Sequence, residues 1–222
     1  MVLLSVAACE GSSSGSPKAS GQGRAWSQAG LEKAVITGKD VTGYTVYPTP
    51  GTPREAGSRE TEPAACAPID TTLGRPGGTY APTARVLAMI SPKAHGPGAN
   101  MTVASYRAGD APEVVDEIRT AAGRCAAFKD LLVDFDYENV ETRPGPGYGD
   151  NFVSLRLTQV LPGKGTDGKV TKVSYAVVAA SVGTAVALFY SFNAMDKGQA
   201  TVPDALVKAQ LAKLAEQGAS SA

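Results

Sequence analysis

The chain has 222 residues, 43% of them hydrophobic and 19% charged, enough to fill one sizeable core. Lys plus Arg and Asp plus Glu each number 21, so no basic excess exists to neutralise phosphates, and nucleic acid is not an expected partner. The cysteines Cys9, Cys66 and Cys125 form no C-x-x-C pair, and His95 is the single histidine, so neither a metal site nor another cofactor is expected.

Residues 1–9, "MVLLSVAAC", close on Val6-Ala7-Ala8-Cys9, an aliphatic residue and two small ones before a cysteine. This is the bacterial lipobox pattern: a thiol to take diacylglycerol, and small neighbours that let the peptidase reach the bond. A signal peptide needs a positive start and an apolar run of about 7–15 residues. No Lys or Arg precedes Cys9. Residues 1–9 are therefore read as a truncated signal peptide with its true start upstream. Residues 10–26 contain "EGSSSGSPKASGQG", the composition of a flexible tether. A lipidated Cys9 anchors the protein to the outer face of the cell membrane, and Cys66 and Cys125 then form the expected disulfide of an oxidising compartment.

A domain is expected over 27–217, with 218–222 as a tail. "SQAGLEKAVIT" reads as a short helix, and "GYTVYP" as a strand stopped by Pro48 and Pro50. Residues 49–64 form a Pro-rich charged loop. "ACAPIDTTL" reads as a helical turn holding Cys66, and "ARVLAMIS" and "NMTVASYR" as two strands. "DAPEVVDEIRTAAGRCAAF" is the strongest helix, with Asp110 as its cap, Glu113 completing a capping box, and Val114, Ile118, Ala121, Cys125 and Phe128 at helical spacing. "DYENVET" and "NFVSLRLTQVL" read as strands on either side of the turn "RPGPGYGD". The uncharged run "VSYAVVAASVGTAVALFYSFNAM" is long enough to cross a bilayer. Gly183-Thr184 near its middle and its wealth of Val, Tyr and Phe favour a buried hairpin instead. A last helix, "VPDALVKAQLAKLAEQ", has Pro203 in its first turn and Val207, Leu211 and Leu214 on one face. About seven strands joined by short turns, without regular alternation of strand and helix, predict an α+β fold around a central antiparallel sheet.

Motifs that look catalytic do not survive their context. Gly163-Lys164-Gly165-Thr166-Asp167-Gly168 matches a dinucleotide-binding pattern but leads into a strand rather than a helix. Gly11-Ser12-Ser13-Ser14-Gly15 matches a nucleophile elbow inside the tether, with no strand before it. His95 sits among Pro92, Gly96 and Pro97 in a loop. Asp134, Asp136 and Glu138 put three acids on one side of a strand, the usual pattern of a solvent face.

The order of lipobox, tether, helix, "GYTV", "CAPI", "CAAF", "GD" before a strand, and "VPDALVKAQLAKL" resembles actinobacterial lipoproteins similar to the extracellular sensor domain of PknH-type mycobacterial serine/threonine kinases. The resemblance spans roughly residues 27–217. It implies a central antiparallel sheet with packed helices, a cleft for a ligand, and no catalytic residue. That sensor domain has two disulfides, whereas Cys66 and Cys125 supply only one here.

The function expected is therefore a non-enzymatic, lipid-anchored surface module that binds or senses an unidentified small ligand. Tyr106, Tyr137, Tyr148 and Arg156 are candidate ligand contacts. The alternatives are an envelope structural or protein-interaction module, and a hydrolase built around His95 or the acidic row.

Overall fold

The computed structural model describes residues 23–51, 60–74, 78–145, 147–148, 151–162, 170–193 and 198–219. Cys9, the glycine motifs at 11–15 and 163–168, and the Gly149-Asp150 pair lie outside them.

Nine antiparallel strands form one sheet in the order β1-β3-β4-β9-β8-β7-β6-β5-β2. They are β1 (Tyr44–Gly51), β2 (Thr61–Glu62), β3 (Ala84–Pro92), β4 (Ala99–Ser105), β5 (Phe128–Asp130), β6 (Phe135–Thr142), β7 (Phe152–Leu161), β8 (Thr171–Val182) and β9 (Ala185–Asn193). The helices are α1 (Gln28–Ala34), α2 (Ala67–Thr71), α3 (Asp110–Arg124) and α4 (Asp204–Ala219). The α+β class agrees with expectation, and the strand count rises from about seven to nine. The additions are β2 and β5, a pair of two and three residues, too short to carry a period-2 signal.

The uncharged run is the β8–β9 hairpin at the middle of the sheet, turning at Gly183, whose φ of 57° suits glycine. Among the described residues no helix is long and apolar enough to cross a membrane. Because strand side chains alternate, this hairpin feeds two cores. Val177, Ala179, Val186 and Leu188 face the first, where α3 packs with Val115, Ile118 and Ala121. Val178, Ala187 and Phe189 face the second, with Leu31 of α1 and Leu206, Val207 and Leu214 of α4. Each large aliphatic side chain fully buried here contributes about 1.5–3 kcal/mol.

The helix ends are closed by specific groups. Ser27 caps α1, its Oγ accepting from the Gly30 amide at 3.1 Å. Buried Gln210 of α4 donates to the Ala34 carbonyl (2.8 Å) and accepts from the Ile36 amide (3.0 Å), so α4 satisfies the end of α1. The expected capping box at Asp110 is corrected: Gly109, with φ 90°, is the cap, and Asp110 and Glu113 lie within the first turn. There they complement the positive end of the helix dipole. Phe128, expected on that helix, belongs to β5, because the helix ends at Arg124 and Cys125 is already extended.

Cys66 and Cys125 are bonded, with Cα atoms 5.9 Å apart. The bridge ties the short 3-10 turn at Ala64–Cys66 to the end of α3, and closing so long a loop contributes about 4 kcal/mol in the chain-entropy account. A further correction concerns β1, which continues through Pro48 and Pro50 to Gly51. It is an edge strand, so only one side of its backbone is needed for pairing, and two prolines two residues apart share the other side.

Candidate functional site

Among the described residues, helix packing on the first face of the sheet is uneven. α3 packs on β6, β7, β8 and β9, and none of the described helices makes an extensive contact with β1, β3 or β4 on this side. The register aligns Tyr47, Met89, Asn100 and Tyr190 in one row across β1, β3, β4 and β9, and Phe192 beside Tyr175 in the next. Tyr47, Met89 and Phe192 are each more than half exposed, at 52%, 54% and 53%. Together they make an aromatic shelf along the edge of the first core.

Tyr175 is the hub of that shelf. Its ring lies 5.7 Å from Phe192, 6.4 Å from Tyr190 and 6.5 Å from Tyr137. Its hydroxyl donates to Gln159 Oε1 at 3.1 Å, and Gln159 Nε2 donates to the Tyr137 hydroxyl at 3.2 Å. Tyr137 in turn stacks on Phe128 at 4.8 Å. This chain of rings and one amide fixes the shelf in place, because each polar tip is satisfied while each ring is packed. A bulge in β6 keeps it so: the register shifts between Glu138 and Glu141, Asn139 takes φ 53°, and Tyr137 and Val140 both reach the first core.

At the end where β4 and β9 part, the shelf opens into a pocket of about 740 Å³. Met89 and Phe192 reach into it from the shelf, and Asn100, Asn193, Gln199 and Thr201 supply amides and a hydroxyl. Among the described residues His95 is its only titratable lining group. The acidic row does not line it. The expected row of three is corrected: Asp134 lies in the turn before β6, with φ 57°, and only Asp136 and Glu138 are on the strand. Asp134 is paired with Lys129 and Glu138 with Lys172, both at 2.5 Å. Among the described residues no cluster of His, Cys, Asp and Glu could hold a metal ion.

The four candidate contacts divide between the two faces. Tyr106 and Tyr137 are buried in the first core. Burial pushes the Tyr106 phenol up to about 12, against the opposing pull of the Arg85 guanidinium. Tyr148 and Arg156 meet on the other face, at a small pocket of about 200 Å³ that Asp204 also lines. The Tyr148 hydroxyl donates to Asp204 Oδ1 at 2.5 Å, and burial followed by this bond raises its pKa above the ordinary phenol range. Arg156 is bonded to Gln199. Of the four, only Tyr137 belongs to the network beneath the shelf. Tyr175, Tyr190 and Phe192 were not singled out from the sequence, although they share one face of the hairpin by their spacing.

Neither a protein-family model nor a curated protein matches the sequence. Among solved structures, the extracellular domain of PknH from Mycobacterium tuberculosis matches with a TM-score of 0.53 and 12% identity, over 89% of this chain and 98% of that one. This chain shares its fold with the PknH extracellular domain. The resemblance read from the order of sequence segments thus holds at the level of architecture. An uncharacterized protein from Mycobacterium smegmatis, the Rv0999 ortholog, matches with a TM-score of 0.36 and 12% identity, over 82% of this chain and 90% of that one.

Proposed function

We propose that this protein is a non-enzymatic sensing module held outside the cytoplasm by lipid on Cys9, and that its ligand sits on the aromatic shelf and in the adjoining pocket. The observation that carries this reading is the shelf itself: packed rings with locked polar tips beside a pocket rich in amides. A rigid aromatic floor with convergent neutral hydrogen-bonding groups suits an uncharged ligand with a flat apolar face and several hydroxyls. The shared fold with an extracellular domain and the Cys66–Cys125 disulfide support a location in an oxidising compartment.

Calorimetric titration with a panel of neutral oligosaccharides tests the reading. At least one is expected to bind with a stoichiometry of one, to be recovered unchanged, and to bind about tenfold more weakly to Phe192→Ala. Equal affinity in that variant, no binding by any member, or turnover of the ligand overturns it.

The docking alternative has one observation in its favour. Leu131, Leu132 and Val133 stand exposed at the β5–β6 turn, which the buried Asp130 carboxylate shapes by accepting from the Leu132 amide at 2.9 Å. Leu132→Ser would weaken a protein contact there and leave oligosaccharide binding unchanged.

A further inference from the structure

A larger cavity, of about 950 Å³, lies near the β8–β9 turn, away from the aromatic shelf. Its size falls within the range of about 300–1,000 Å³ that holds small molecules. The incoming chain at Gly23–Ser27 forms one wall and the last turns of α4 another, with Val182 and Gly183 between them. The wall is fixed in place: the Trp26 amide donates to Ser105 Oγ at 2.8 Å, and the Thr184 hydroxyl donates to the Arg24 carbonyl at 3.3 Å. Trp26, Val182, Leu214 and Ala215 give the cavity an apolar interior.

Among the described residues that line it, Arg24 and Lys33 carry charge and none is a carboxylate. Among the described residues neither cation has an ion-pair partner, and Glu32, beside Lys33 in sequence, is bonded instead to Gln28 at 3.0 Å. An apolar slot with two unneutralised cations complements a molecule with a long hydrocarbon body and one anionic end.

From this arrangement we infer that the cavity binds a free long-chain carboxylate, with its alkyl chain along Trp26 and Leu214 and its head toward Arg24 and Lys33. Trp26 is the only tryptophan of the chain and lines this cavity, so tryptophan emission carries no contribution from the aromatic shelf. Titration of the whole protein with laurate, below the concentration at which it forms micelles, is expected to shift Trp26 emission to the blue and to saturate. Dodecanol is expected to bind about tenfold more weakly. The double variant Arg24→Ala/Lys33→Ala is expected to weaken laurate binding about three- to tenfold, as two exposed ion pairs would, with unchanged circular dichroism and unchanged dodecanol binding. An unresponsive Trp26, equal affinity for laurate and dodecanol, or a response only to phosphatidylglycerol vesicles overturns the inference. None of these outcomes depends on Phe192 or on oligosaccharide binding.

Discussion

Tyr106 follows β4 directly and is 7% exposed, its amide donating to the Thr184 carbonyl at 2.8 Å. A phenol sealed in this way resists ionisation because phenolate loses its water. Its folded value of about 12 lies above the unfolded 10.0, so the folded state holds the proton longer. The stability this contributes is complete below pH 10 and is lost as pH rises from 10 towards 12, by about 2–3 kcal/mol. Urea midpoints measured through that range are therefore expected to fall with pH, and Tyr106→Phe to flatten the fall. Tyr148, whose pKa is raised by burial and by Asp204, keeps its own share in that variant. A wild-type midpoint constant across the range would show that the Tyr106 phenol is reached by water.

Packing between neighbouring elements makes glycine positions unequal. A Cβ on Gly98 would stand 2.5 Å from the Ile90 carbonyl oxygen, backbone that cannot move without parting β3 from the start of β4. Gly98→Ala is expected to cost about 1–3 kcal/mol. Gly123 has nothing within 4 Å and lies inside α3, so Gly123→Ala is expected to stabilise by about 0.5–1 kcal/mol. Thermal melts of the two variants should move in opposite directions, and a common direction would contradict this packing. Elements with a strong period were readable in advance: the β8–β9 hairpin from its uncharged run broken at Gly183-Thr184, and α3 from Ile118 and Ala121 facing inward. Rules applied one residue at a time did less well. Proline reads as the end of β1 because edge position is a property of the sheet, and Asp110 reads as a cap because nothing local sets it against Gly109. The aromatic shelf was hidden for a related reason. Its members come from β1, β3, β8 and β9, and only the strand order and register bring Tyr47 and Met89 into line with Tyr190.

At the scale of the whole molecule, the central hairpin belongs to both cores at once. Val177 points to the first and Val178 to the second, one residue apart on a backbone bonded to β7 on one side and β9 on the other. A strand cannot lose the packing on one face and keep its register on the other, since register is what directs alternate side chains to their own sides. The two cores should therefore unfold together. Val177→Ala removes packing from the first core alone and is expected to cost about 2 kcal/mol. Trp26 packs against the second core, so its emission reports the opposite side of the sheet. In urea, the Trp26 transition of Val177→Ala is expected to move by the same amount as the far-ultraviolet circular dichroism transition, with both still coincident. A Trp26 midpoint that stays at the wild-type position while the circular dichroism shifts would mean that α1 and α4 hold their face of the sheet independently. The hairpin would then be a seam between two units rather than their common centre.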